Sequence, residues 1–359
     1  MKVLPLLLLL TLLCGCTQLG YFTEQGFGFA RLQWLNSRGN DQILEDPEIS
    51  EDVKRKIMLV GEYKKFFYYH FGEKSTDIYS RTTMLENEAV SYLVIASPHT
   101  NIEAHEFKFP FVGGFPYIGF YKKSSAKSFA RKLRKNENLV TYIRPVYAYS
   151  TLGYFEDRIL SSFFDYDEIE LGELIFHELF HTIFFIKDEV ELNENLANYY
   201  GKELLKEYYK DQKQLSDYMA REEKKELLKK RVVELISILQ GEFAKLGGFL
   251  TDKKADELTL RFVDEVFKPD LRALCHRLEL PNEDCEFKHK WNQASFAAFL
   301  TYEEEQDFLG SIQSRMKMDL KDLLKWLRKE YKSFKDQDKI ESFTEYLKTK
   351  VTDAPSSSH

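Results

Sequence analysis

The chain has 359 residues, of which 43% are hydrophobic and 15% aromatic, with only 9 Pro and 17 Gly. That composition excludes a disordered or collagen-like chain and supplies the core of one large domain or two modest ones. A formal charge of −7 argues against a general nucleic-acid binder, which needs a basic surface.

Lys2 is followed by an apolar run from Val3 to Leu13 and then by Cys14-Gly15-Cys16-Thr17. A charged start, an apolar stretch of this length and small residues after it read as a secretion signal over residues 1–16. The run is too short to span a bilayer comfortably as a mature helix. Leu13-Cys14-Gly15-Cys16 resembles the bacterial lipobox, whose last Cys is acylated and becomes the first mature residue, although Cys14 is less usual there than Ala or Ser. Thr17 is not Asp, which disfavours inner-membrane retention. The expectation is a body in the bacterial cell envelope, in the periplasm or at the surface. It would be held by lipid at Cys16 to a membrane, with the outer membrane favoured.

Ala30 to Leu35 reads as a short amphipathic helix, and residues 50–71 as a longer one capped by Ser50. Ala89–Ile95, Glu106–Val112 and Leu139–Ser150 read as strands, the last with Pro145 favouring an edge or a bulge. Between the second and third lie a Gly113-Gly114 turn and a helix from Ser124 or Ser125 to about Lys135. From about 167 onward nearly everything reads as helix. Residues 203–245 divide into two helices, the second a solvated face dense in Glu and Lys. The expected fold is α+β and mainly helical: a small mixed α/β part over 17–166 packed on a helical part over 167–352, with a disordered tail at 353–359.

The chemistry lies in residues 171–186, LGELIFHELFHTIFFI. Leu, Ile and Phe surround this helix on all sides, so it is a buried helix. Yet Glu173, His177, Glu178, His181 and Thr182 share one narrow strip of it. Buried charges are expensive unless paired or bound to metal, and a divalent ion would resolve the conflict. His177-Glu178-Leu179-Phe180-His181 is the H-E-x-x-H pattern. It aims two imidazoles at one metal and sets Glu178 beside them as a general base. Lys187-Asp188 breaks the apolar run, and Asn193-Glu194-Asn195-Leu196-Ala197 opens the next helix. A helix hairpin can return Glu194 as third ligand, leaving a fourth position open for water. The expectation is one Zn2+ per chain on His177, His181 and Glu194.

The segment from Phe115 to Gly201 resembles a bacterial family of predicted zinc aminopeptidases, gluzincin-like and often lipoproteins. The matching pieces are Pro116-Tyr117-Ile118-Gly119-Phe120, Tyr149-Ser150-Thr151-Leu152-Gly153-Tyr154-Phe155, Ile175 to His181 and Asn193 to Ala197, with a weaker echo in Trp291-Asn292-Gln293-Ala294. The resemblance implies a zinc metallopeptidase fold and an aminopeptidase activity on peptides. Two positions depart from it. Asn198 stands where gluzincins often carry an acid that orients a zinc-bound His, and Gly201 where this family would carry an acid.

Peptide hydrolysis also needs an electrophile for the carbonyl oxygen and a surface that aligns the substrate. Tyr149, Tyr154 and Tyr302 are candidates for the first. Val146 to Thr151 could serve the second as an edge strand, with Thr151 and Gly153 touching substrate. An aminopeptidase further needs an anion for the free α-amino group. Glu156, Asp157 and Glu173 are candidates, Asp157 being equally explicable as a helix N-cap and Glu173 as a residue that holds His177 in position. Cys275 and Cys285 flank a Pro281-Asn282 turn signal, and an oxidising compartment would pair them as a disulfide. Metal ligation by Cys275, His276 and Cys285 fits no zinc spacing. Two alternatives share the site: an endopeptidase or cell-wall amidase, and a structural lipoprotein with a stabilising zinc.

Overall fold

The structure, a computed structural model, describes residues 20–21, 23–109, 113–147, 156–187, 189–285, 290–301, 318–335 and 342–352. Among these residues it is mainly helical with three small sheets. Helix α1 (residues 23–30) runs into a π-helical turn, Arg31–Leu35. Strand β1 (Ser37–Gly39) then pairs antiparallel with β2 (Arg81–Thr83), and β2 pairs in parallel with β8 (Ile159–Leu160). Between β1 and β2 lie the short α2 (Asn40–Leu44) and the long α3 (Glu51–Phe71). Helix α3 starts at Ser50, whose hydroxyl accepts from the Val53 amide, and stops at Gly72 in the left-handed region.

The second sheet has the order β6-β3-β7, with β3 (Ser91–Ser97) between β6 (Ile118–Phe120) and β7 (Val140–Val146), all antiparallel. Strands β4 (Phe107–Phe109) and β5 (Gly113–Phe115) form a separate hairpin. The observed β3 begins two residues after the expected Ala89–Ile95, because Ala89 and Val90 are buried in the approach to the strand. Helix α4 (Lys123–Lys132) is not capped by Ser124 or Ser125. Both lie in its first turn, Lys122 is the N-cap, and a π-turn at Leu133–Glu137 carries the chain to Asn138 at φ +53°. Ala126 and Ala130 of α4 join Tyr92, Val94 and Phe120 in a small core over this sheet.

After β8 the chain is helical: α5 (Glu168–Ile183), α6 (Val190–Tyr208), α7 (Lys213–Leu246), α8 (Asp252–Phe262), α9 (Lys268–Leu278) and α10 (Gln293–Thr301). Helices Leu320–Lys335 and Phe343–Thr352 follow. The break in the 203–245 segment falls at Tyr209–Gln212, where Asp211 adopts φ +63°. The largest core joins α3, α5, α6 and the last two helices around Tyr63, Phe176, Phe180, Leu204 and Phe343. A second core joins α7, α8, α9 and α10. There the disulfide Cys275–Cys285, with Cα atoms 6.1 Å apart, ties the end of α9 to the turn Asn282–Cys285. Trp291-Asn292-Gln293 links the two halves of the chain: Asn292 Nδ2 donates to Thr141 O at 3.2 Å, and Gln293 Nε2 to His99 O at 2.8 Å.

Candidate metal centre

Helix α5 starts cleanly. Asp167 accepts from the amides of Ile169 (2.9 Å) and Glu170 (2.8 Å), and Glu170 Oε2 accepts the Asp167 amide in return. The helix buries Ile175, Phe176, Leu179 and Phe180 among others, while Glu173, Leu174 and His177 are half-buried. Asn193 then fixes the turn into α6. Its Nδ2 donates to Ile186 O at 2.7 Å, and its Oδ1 accepts the Ile186 amide at 2.9 Å.

The two helices run antiparallel at close range. A Cβ on Gly172 would lie 3.0 Å from Leu205 Cδ1 and 3.1 Å from the Tyr63 ring. A Cβ on Gly201 would lie 3.2 Å from Glu173 O and 3.3 Å from His177 N. The glycine at 201, where an acid was expected, thus lets the α6 backbone pass against α5 at the turn that carries His177. The Phe180 and Tyr200 rings stack at 4.2 Å beside it.

This contact brings three ligand-type side chains together. His177 Nε2 and His181 Nε2 are 3.3 Å apart. Glu194 Oε2 is 3.4 Å from His177 Nε2, and Glu194 Oε1 is 3.5 Å from His181 Nε2. One donor atom from each lies within 4.8 Å of the other two, the only such His/Cys/Asp/Glu group among the described residues. The donor set, two imidazoles and a carboxylate, suits a divalent ion of the zinc kind. Asn198, one turn after Glu194, accepts from His177 Nδ1 at 2.8 Å. That bond places the proton on Nδ1 and turns the Nε2 lone pair toward the cluster. Asn198 therefore fills the orienting place of the expected acid, without its charge.

The electrostatics fit this arrangement. Burial pushes His177 down, but the Glu194 hydrogen bond and the Glu178 and Glu194 charges outweigh it, and its pKa is raised. Burial, helped by the nearby His177, pushes His181 down to about 4, so it is neutral at pH 7. Partial desolvation raises the half-exposed Glu194, but the His177 hydrogen bond and the His177 and His181 charges outweigh it and hold its carboxyl below the usual range. Glu178 is 6% exposed. Its charge reaches Tyr79 and Tyr166, whose phenols are raised first by burial.

Of the other candidates, Cys16, Tyr149, Thr151, Gly153, Tyr154 and Tyr302 lie outside the described residues. Asp157 precedes strand β8, so it is not a helix N-cap. It is 1% exposed; Oδ1 accepts from Gln33 Nε2 at 3.3 Å and its carbonyl accepts the Tyr79 amide at 2.8 Å. Glu173 does not bond His177. Its Oε2 accepts from Tyr218 Oη of α7 at 2.5 Å, and burial raises its pKa. Tyr218 and Tyr79 carry no signal in the sequence, since Tyr218 is 45 residues from Glu173 and Tyr79 is singled out only by its backbone, at φ +59°.

No curated protein and no solved structure matches this chain. A family model described as "Putative aminopeptidase" matches residues 20–348, most of the sequence, and the chain belongs to that family.

Proposed function

We propose that the protein is a zinc-dependent metallopeptidase acting as an aminopeptidase. The observation that carries this reading is the convergence of His177, His181 and Glu194 on one point, with Glu178 on the next position of the same buried helix. Zinc bound there would polarise the scissile carbonyl and acidify a water. Glu178 takes a proton from the attacking water and returns it to the departing amine nitrogen. Burial of Glu178 and His181 keeps competing water from their polar atoms and strengthens each electrostatic contact. Asn198 keeps His177 in the tautomer that offers Nε2. Family membership supports the peptide substrate and the free amino terminus. Paired peptides test the latter: zinc-loaded protein should cleave a peptide with a free α-amino group and spare its N-acetylated twin. Equal cleavage of both would make it an endopeptidase on the same site.

The second part of the proposal is the address. The Lys2 to Cys16 sequence supports export and acylation at Cys16, with the body held at a membrane of the cell envelope. No helix among the described residues is long and apolar enough to cross a membrane. Acyl mass on Cys16, lost together with membrane partitioning in Cys16→Ser, is the expected result. Unchanged partitioning of that variant would refute the anchor.

A further inference from the structure

The first helix of the body turns apolar side chains outward. Phe27 and Trp34 are each 56% exposed, and Leu35 is 64% exposed. Phe27 lies on α1, and Trp34 and Leu35 close the π-turn that follows it, where the Trp34 ring meets the Phe29 ring edge-on at 5.6 Å. Met84, after β2, is also exposed and lines with Phe27 a cavity of about 310 Å³ beneath the helix.

The other face is fixed to the body. Leu32 and Gln33 are buried. Thr83 Oγ1 donates to Leu32 O at 2.8 Å, Arg158 Nε to Gln33 O at 3.1 Å, and Gln25 Nε2 to Gly119 O at 3.0 Å. The helix therefore cannot roll to bury Phe27 and Trp34 without breaking these bonds.

Its place in the chain says what can cover it. Cys16 precedes Gly20 by four residues, a span of at most about 14 Å when fully extended. At the helical rise, Phe27 lies roughly 10 Å and Trp34 roughly 20 Å beyond that point. A lipid at Cys16 would hold the whole helix within reach of the headgroup region, where Trp and Phe partition well.

We propose that the exposed face of α1 and its π-turn lies on the bilayer, with Phe27, Trp34 and Leu35 at headgroup depth, as a second membrane contact beside the lipid. The inference rests on the Cys16 anchor. It fixes the orientation of the body, because Gln33 and Arg158 join this helix to the segment that leads into β8.

The test uses the full acylated chain in vesicles of phosphatidylethanolamine and phosphatidylglycerol carrying bromine on the acyl chains. Trp291 and Trp326 pack against the interior cores, so bromine should quench Trp34 alone. The expected result is quenching in the wild type that is lost in Trp34→Phe. It should also be lost in Phe27→Glu/Leu35→Glu, with vesicle binding and circular dichroism unchanged. Acyl mass present and protein vesicle-bound, but wild-type quenching no greater than in Trp34→Phe, would overturn this inference and leave the anchor standing. A Trp34 signal that instead changes with protein concentration would assign the face to a second copy and also overturn it. Absence of acyl mass would overturn both.

Discussion

Helices α5 and α7 treat charge in opposite ways. Over 16 residues α5 sets Glu173, His177, Glu178 and His181 into a core of Leu, Ile and Phe. Over 34 residues α7 carries charges on its outer side in spaced pairs such as Lys229–Glu226 and Arg231–Glu234. A surface pair contributes a few tenths of a kcal/mol and any one is replaceable. A buried charge is destabilising unless a partner or a metal answers it. Glu173 meets Tyr218, and His177 and His181 meet Glu194 at the shared ligand point, which is the mark of a site rather than a solvated face.

The largest effect is expected at Glu194. Its replacement by Gln should weaken zinc binding by more than the 10–100-fold typical of an orienting residue, measured by competition with a chelator. Acid should act in the same direction. His177 holds its proton above the ordinary 6.5 and zinc must displace it, so affinity is full at high pH and falls about tenfold per pH unit below the raised value. His181 adds a second proton only near pH 4. A flat affinity between pH 7 and 5 would contradict this ligand pair.

Asn198→Ala comes next. Zinc affinity should fall by about 10–100-fold with little change in melting temperature, because the variant frees the His177 ring rather than removing a ligand. Gly201→Ala should act on stability instead. The new methyl meets backbone atoms of α5, so the helices must part, at about 1–3 kcal/mol in denaturant unfolding. The smallest effect belongs to α7. Lys229→Ala should change stability by about 0.5 kcal/mol or less and leave zinc affinity untouched.

Much of the α5–α6 region was legible because its information is local. The i, i+4 spacing of His177 and His181, the apolar coat and the break near Lys187 all lie within about two dozen residues of Glu194. The role of Gly201 was not, since an acid expected by resemblance and a glycine required by helix contact differ only in what stands across from them. Asn198 was read as a missing acid, although its amide oxygen can do the orienting. Asp157 reads as an anion for the α-amino group or as a helix N-cap, yet it is buried against Gln33, 124 residues earlier, and no local pattern signals that. The strand edges shifted by a residue or two because burial at Ala89 and Val90 begins before the ladder does.

In the proposed site Glu178 is a base and not a ligand, so zinc content and peptide hydrolysis should separate when both are measured in wild type and Glu178→Gln. One zinc per chain is expected in both proteins, with a loss of hydrolysis of about 10²–10⁴-fold in the variant. Loss of zinc from Glu178→Gln, or full activity with zinc retained, would contradict it.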